Sequence, residues 1–517
     1  MDISESISFL RYTNSMKKFN WKELVMAVIV LIGSTCLLLY KIGDQYLWTD
    51  EVYSYEAAEM VIKTGSTTFP TGLEYPRAGF YHHLLALSIK TFGEGAFSTN
   101  IVNIPFILGT MILIYLALRD KNKLLGLSGS LLYLTTNFTI ALVRETRMYS
   151  ATAFFLALTA FAIYKGIIDI KKGKEIKIKD LTFNINIWWL ISALISFYMM
   201  FDTQPLTLLL GFGLITYYIF NFILRKKKED LIILISLILF AVIALFLRYN
   251  TLNPIDLYFS LSPDWANSYP PALPYYSFIL TINLPWCFLS IPLILFSIAR
   301  NREKRNIYIF SLFFTMLLIL SLLQAQAERY ITPTIPLLIT LSVLSIYDFY
   351  TYLRDNKKKF SKMFLVIASV CILIPQSIYL VKELNEIDTY TKYSVDIYKK
   401  LEFNQIEDFL EENYNKDDYL IADFHSVYTL YWMGFDTDYF LLPSDDIHWK
   451  WGDKDEYLGI PLMNYERDLS NFIDMAREEG KTVYIVLRDE FYFEDIEEIW
   501  GEYKDEDFTR PVLYVIQ

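Results

Sequence analysis

Apolar windows recur along the chain and reach the roughly 17–25 residues that a helix needs to cross a bilayer core. None shows the strict alternation of a barrel strand. Backbone amides in hydrocarbon must bond within their own segment, so such windows predict helices. They fall at 22–43, 98–118, 124–143, 148–168, 185–201, 204–224, 231–248, 275–299, 307–324, 331–350 and 363–382. The pattern predicts a polytopic α-helical membrane protein with about eleven transmembrane helices. The connections alternate in charge. Dense basic clusters occupy 119–123, 171–179, 225–228, 300–305 and 354–362, whereas 202–205, 249–274 and 324–329 carry few basic residues. Positive charge stays cytoplasmic. The N-terminus is therefore expected inside, the basic-poor loops outside, and the tail beyond the eleventh span outside as well. The first apolar segment lacks a small-residue cleavage site and precedes further spans, so it reads as a retained anchor.

Shorter patterns fill the gaps. Residues 80–92 are too short to span and contain His82, His83 and Lys90. They predict an amphipathic helix at the outer interface with its charged groups toward water, and 53–63 predicts a second one. The proline- and tyrosine-bearing stretch 249–274 is expected to be irregular and suited to covering a site. In the tail, helical patterns at 398–412, 426–432, 466–479 and 496–503 alternate with strand patterns at 419–422, 439–442, 482–487 and 512–516. That alternation predicts a small α/β layer with mostly parallel strands.

Charge divides the chain in the same place. Residues 383–517 hold 34 acidic and 12 basic side chains, a net −22, which leaves +11 on 1–382. The expected organisation is a membrane domain over 1–382, with an outer loop at 44–97, and an extracytoplasmic α/β domain over 383–517. An acidic tail repels phosphate backbones, so nucleic acid is excluded as a partner. The 54% of hydrophobic side chains excludes an ordinary soluble enzyme. Cys36, Cys287 and Cys371 all lie in apolar windows and offer no disulfide framework or thiolate metal site. No glycine-rich phosphate loop follows any tail strand, so nucleotide binding is not indicated.

Chemistry concentrates in 46–83. Asp50 and Glu51 stand together a few residues past the first span, beside Tyr46 and Trp48. A carboxylate partly withdrawn from water can take a proton from a hydroxyl; the alternative is a solvated acidic pair. The same stretch supplies Arg77, Tyr81, His82 and His83. Arg144, Glu145, Arg147 and Tyr149 follow on the outer side, against the positive-inside trend. Guanidinium groups there could clamp phosphate or merely pair with Glu145. Arg329 and Tyr330 open the tenth window, and Asp202 could be a ligand or a cap. Adjacent histidines on a helix diverge by about 100°, so His82 and His83 cannot readily share one metal ion. No metal ligand is assigned, and a divalent metal stays open.

The order of these motifs carries a resemblance. TDE after the first span, then YPRAGFYHHLLALSIKTFG, then RETRMYSATAFF, then ERYITPTIP together resemble the GT-C superfamily of membrane glycosyltransferases. The likeness is to the dolichyl-phosphate-mannose protein mannosyltransferase and aminoarabinose-transferase-like branch, over roughly residues 20–350. It implies transfer of a sugar from a polyprenyl-phosphate donor (dolichyl or undecaprenyl phosphate) to a glycan, lipid or protein acceptor hydroxyl at the outer face. It also implies a catalytic base at Asp50 with Glu51 beside it, and lipid-phosphate contacts at Arg147, Arg144, Arg77 and Arg329. Tyr81, His82, Tyr149 and Tyr330 complete the expected substrate-binding set. The WWDYG signature of oligosaccharyltransferases is missing, which argues against transfer of a whole glycan to asparagine. A transporter or lipid flippase is the rival; it predicts mid-span charges and inverted repeats. A membrane scaffold whose tail binds a partner is a second rival.

Overall fold

The computed structural model describes residues 21–75, 77–170, 174–178, 181–249, 273–323, 326–356, 359–385, 403–442, 450–451, 453–455, 457–488, 503–505 and 511–517. The chain divides into two compact units, Met1–Tyr40 and Lys41–Gln517. In the first unit the described residues form one helix, α1 (Trp21–Leu39).

The second unit begins with two helices bearing polar residues, α2 (Thr49–Thr64) and α3 (Gly79–Phe92). The bundle follows: α4 (Ala96–Asn100), α5 (Asn103–Leu118), α6 (Lys123–Leu134), α7 (Asn137–Val143) and α8 (Tyr149–Ile163). After a hairpin of β1 (Lys174–Ile178) and β2 (Leu181–Ile185) come α9 (Ile187–Thr203), α10 (Leu209–Arg225) and α11 (Lys228–Tyr249). Then come α12 (Tyr275–Asn283), α13 (Cys287–Asn301), α14 (Lys304–Leu322), α15 (Glu328–Ile331), α16 (Ile335–Asp355) and α17 (Ser361–Asn385).

Among the described residues, six helices are long and apolar enough to cross a membrane, or eight if each bent pair is one span. Windows 124–143 and 275–299, expected as single spans, are broken. The first bends by 61° between α6 and α7 and the second by 109° between α12 and α13. At the first break the Thr136 hydroxyl accepts from Thr139 N at 3.2 Å. This side-chain cap starts a new helix and satisfies a donor that a continuous helix would not expose. Windows 22–43, 185–201 and 231–248 are helical as α1, α9 and α11. The β1–β2 hairpin was not anticipated: its alternation of Ile and Phe with polar residues sits inside a segment expected to be only a basic connection. Residues 250–272, most of the expected irregular loop, lie outside the described set.

Close helix contacts need small side chains. A Cβ built on Gly213 of α10 would lie 2.8 Å from Leu312 Cα of α14. Nearby, the Asp348 carboxylate of α16 accepts from Ser297 of α13 at 2.7 Å and from Asn306 of α14 at 2.6 Å. A buried anion is tolerated only with such donors, and here it ties three helices together.

The tail is an α/β layer. After α18 (Phe403–Asn413) come β3 (Tyr419–Asp423), α19 (Phe424–Trp432), β4 (Tyr439–Leu442), β5 (Lys450–Trp451), β6 (Lys454–Asp455), β7 (Leu462–Asn464), α20 (Ser470–Glu478), β8 (Val483–Leu487) and β9 (Val512–Ile516). The main sheet runs β7-β4-β3-β8-β9, parallel except for β9. Ile421, Leu441, Ile485 and Tyr514 lie in its core with Ile473 of α20. Strand β7 was missed because three residues are too few for a periodic signal. The helix expected at 496–503 lies almost wholly outside the described residues.

Layer and bundle meet on α2 and on the segment just before it. Tyr431 donates to Glu56 at 2.9 Å and Tyr46 donates to Glu407 at 2.6 Å. The Tyr53 ring stacks on Tyr457 at 3.9 Å and meets Tyr428 edge-on at 4.8 Å. Burial raises the pKa of the Glu56 carboxyl above its ordinary value, although the Tyr431 hydrogen bond works the other way.

The Gly213 contact gives a test. Gly213→Ala should lower thermal stability in detergent by about 1–3 kcal/mol through overpacking. Gly211→Ala, with nothing within 4 Å of its Cβ, should be neutral or stabilising by up to ~1 kcal/mol through helix propensity. Equal melting curves for the two variants would contradict the close approach of α10 and α14.

Candidate active site

Helix α2 starts at Thr49, so Asp50 and Glu51 fall in its first turn. Partial positive charge at a helix N-terminus favours anions there. Neighbouring positions on a helix point in different directions, and the two carboxylates have different surroundings. Glu51 is completely buried. One of its oxygens accepts from its own helix start, Trp48 N, at 3.1 Å, and the other from Thr146 N at 2.6 Å. Glu51 thus closes the N-terminus of α2 and holds the loop 144–148 between α7 and α8 against it.

Asp50 remains partly exposed and faces arginines. Its Oδ2 lies 3.0 Å from Arg329 Nη1 and 3.7 Å from Arg147 Nη2. Arg147 is almost fully buried. Its Nη1 donates to the Asp50 backbone oxygen at 2.5 Å, to the Ser54 hydroxyl at 3.1 Å and to the Tyr75 hydroxyl at 3.0 Å. Burial opposes the charge on Arg147. The oxygens of Tyr75 and Asp50 outweigh that effect and hold the guanidinium above its ordinary pKa. The Arg329 guanidinium lies 5.7 Å from the Trp48 ring and from the Tyr330 ring, within cation–π range of both.

A short turn over 67–75 brings the next residues in. Phe69 N donates to Leu73 O at 2.8 Å and Tyr75 N to Thr67 O at 3.1 Å. Arg77 lies in the electrostatic field of Tyr75, Tyr149, Arg147 and Tyr330. Burial pushes the Tyr75 phenol upward, but Arg147 and Arg77 overcome that and lower its pKa.

Loop 144–148 is anchored from below. Asn103 of α5 donates to Glu145 O at 2.7 Å, and the Thr146 hydroxyl lies within hydrogen-bond distance of the Thr99 hydroxyl at 2.7 Å and of the Asn100 side-chain oxygen at 2.9 Å. Tyr81, buried on α3, donates to Asn103 at 3.3 Å, so it supports the loop through that residue. Arg144 turns back on its own helix, donating to Ile140 O at 2.9 Å. Asp202 acts as a cap: its backbone oxygen accepts from Ala78 N at 2.7 Å and its carboxylate from Phe80 N at 3.3 Å, at the start of α3.

The interfacial reading of 80–92 needs one correction. His83 and Lys90 are exposed as expected, but His82 is completely buried instead of facing water. Its ring meets Tyr75 edge-on at 4.8 Å. Neither ring nitrogen has a hydrogen-bond partner among the described residues. Burial, then the charges of Arg147 and Arg77, hold its pKa down at about 3.

Of the residues expected in the site, Asp50, Arg147, Arg329 and Arg77 come together, with Tyr149 and Tyr330 at their edge. Glu51, Tyr81 and Arg144 make supporting contacts. Tyr75 and Ser54 were not anticipated. Ser54 stands four positions after Asp50 and so shares its helical face, and Tyr75 stands two positions before Arg77. Those spacings were the available signals. No group of three or more His, Cys, Asp or Glu residues placed to hold a metal occurs among the described residues.

Solved structures share this architecture. ArnT from Cupriavidus metallidurans in the apo state superposes with a TM-score of 0.60 at 11% identity, over 96% of this chain and 98% of that one. The chain shares the fold of that protein, which is of the GT-C type. The same ArnT bound to undecaprenyl phosphate gives a TM-score of 0.59 at 10% identity, covering 95% and 98% of the two chains. A further GT-C neighbour is the oligosaccharyltransferase AglB from Archaeoglobus fulgidus, in complex with an inhibitory peptide and a dolichol-phosphate. Its TM-score is 0.55 at 11% identity, over 95% of this chain and 74% of that one. The profile of the Alg9-like mannosyltransferase family matches residues 271–430. A search of curated protein sequences finds no match.

His82 gives this site a pH signature. Its pKa is about 3 folded against an ordinary 6.5, so below pH 6.5 the unfolded chain binds a proton that the folded chain refuses. Stability should be unaffected above that pH and fall as pH drops toward 3, by about 2 kcal/mol at pH 5. Thermal melts between pH 7 and 5 should show a shallower acid loss for His82→Gln than for wild type. Parallel curves would mean that His82 is not held neutral.

Proposed function

We propose that this protein is a glycosyltransferase that moves a sugar from a polyprenyl-phosphate donor to an acceptor hydroxyl at the outer face of a membrane. The observation that carries the reading is the Asp50 carboxylate shared between Arg329 and Arg147. A base and a pair of phosphate-binding guanidiniums are thereby gathered at one point. Each arginine also keeps an Nε donor without a hydrogen-bond partner among the described residues, so each has capacity for further oxygen acceptors. The ArnT neighbour bound to undecaprenyl phosphate and the AglB neighbour with dolichol-phosphate support a lipid-linked donor.

The steps follow from the charges. A donor phosphate competes with Asp50 for Arg147 and Arg329, and binding it draws the guanidiniums off the carboxylate. Asp50 is then an ionised acceptor without its counter-ions, able to take the proton of the acceptor hydroxyl. The deprotonated oxygen attacks the anomeric carbon as the bond from that carbon to the phosphate oxygen breaks, with inversion. The departing lipid phosphate gains negative charge, which Arg147, Arg329 and Arg77 stabilise where water is scarce. Tyr75 fixes Arg147, and Glu51 is a positioning residue.

In this reading eleven spans place the N-terminus inside and the domain at 383–517 outside, beside the site. A donor that has already crossed the bilayer suits that topology, because nucleotide sugars are scarce there.

The assignment separates the two adjacent acids. Asp50→Asn should cut turnover of polyprenyl-phosphate sugars in liposomes by about 10²–10⁴ while melting close to wild type. Glu51→Gln should cost about 1–3 kcal/mol of stability, because its amide cannot accept from both Trp48 N and Thr146 N. Near-normal turnover by Asp50→Asn would remove Asp50 from the role of base.

A further inference from the structure

A second feature lies toward the other end of the bundle. Helices α5, α8, α14 and α16 leave a crevice enclosing, with its open mouth, about 550 Å³. Along α8 and the π-helical turn that continues it (Tyr164–Ile168) the crevice runs from Ala157 to Lys165, while Arg147 precedes α8. At 1.5 Å per residue, its far end is roughly 25 Å from the Asp50 site. Its inner part is apolar, lined by residues such as Leu113, Ala160 and Leu337.

The far end holds a buried cation, Arg305 of α14. Its Nη1 donates to Ala117 O at 3.1 Å, which fixes the guanidinium plane. Glu303 approaches Nη2 only to 3.8 Å. Among the described residues, Nε and Nη2 are buried and make no hydrogen bond. These two atoms form the side-on fork of the guanidinium, whose parallel N–H groups match two oxygens of one phosphate. Lys165 beside it is already engaged by Asp120 at 3.2 Å and Asp169 at 2.9 Å, so Arg305 carries the unmet demand.

We propose that this crevice binds an anionic phospholipid, with its phosphate on the Nε–Nη2 fork of Arg305 and an acyl chain along the apolar wall. The charge at the end and the hydrocarbon lining along the length are the two halves of such an amphiphile. A buried guanidinium with an unfilled fork is costly in an apolar setting, and a lipid phosphate relieves that cost. The ionic end lies in the basic 300–305 connection, where positive charge meets the inner leaflet. The site is separate from the Asp50 centre and stands whether or not the transferase reading holds.

The test uses the full chain in nanodiscs of equal phosphatidylglycerol and phosphatidylcholine, with retained lipid counted by native mass spectrometry. Wild type should keep one phosphatidylglycerol in preference to phosphatidylcholine, by about tenfold. Arg305→Gln should bring the two lipids to parity. Ala160→Phe leaves the guanidinium intact and fills the crevice, so it should lose retention of both lipids; it also covers the case in which loss of the Ala117 contact unfolds the first variant. Equal retention of both lipids by wild type would overturn the proposal, as would a preference that survives both variants. Displacement of the lipid by inorganic phosphate alone would show a simple anion site and would equally overturn it.

Discussion

One buried carboxylate sets the geometry on which the rest depends. Glu51 joins the first turn of α2 to the loop 144–148 through two backbone N–H groups. Hydrogen bonds to a charged group are each worth about 1.5–3 kcal/mol net, and losing the acceptor strands buried donors at a further cost. With that bridge in place, Arg147 must enter the space beside Asp50, where its Nη1 meets the Asp50 backbone, Ser54 and Tyr75. The Asp50 carboxylate and Arg147 are therefore aligned by a neighbouring acid that, in the proposed mechanism, takes no part in the chemistry. Asn103 and Thr146 extend the same support into α5 and α4.

Helix α2 is used on several sides at once. Asp50 and Ser54 face the arginines, Glu51 faces the loop, and Tyr53 and Glu56 face the tail layer through Tyr428, Tyr457 and Tyr431. Successive positions turn by about 100° around the helix axis, so adjacent residues of α2 reach different surroundings. The α/β layer consequently packs on the helix that carries Asp50. Aromatic stacking and edge contacts make this seam apolar, and burial raises the Glu56 carboxyl within it.

Much of this was legible in the residues, for identifiable reasons. Long apolar windows have one physical solution in hydrocarbon, so the helices were read where they lie, whereas the 61° and 109° bends were not. A bend made by Thr136 depends on one hydroxyl finding one amide, which hydropathy does not register. The tail strands β4 and β9 match their alternating or continuous apolar runs, while β7 is too short to show a period. Asp50, Arg147 and Arg329 were visible as charges in expensive places. Glu51 looked like their equal because sequence shows adjacency and not direction, and the 100° turn between neighbours gives the two acids different partners. His82 was read as facing water for a similar reason: its burial depends on Tyr75 and Arg147, which come from distant segments.

In the proposed mechanism Arg147 and Arg329 hold Asp50 until a lipid phosphate takes them. The most direct measurement is a structure of the protein determined with a polyprenyl phosphate bound in a lipid nanodisc. The phosphate oxygens should lie on the guanidiniums of Arg147 and Arg329, with Asp50 no longer bridging them and open to an incoming hydroxyl. A phosphate beyond hydrogen-bond reach of both arginines, with the Asp50 bridge intact, would contradict it.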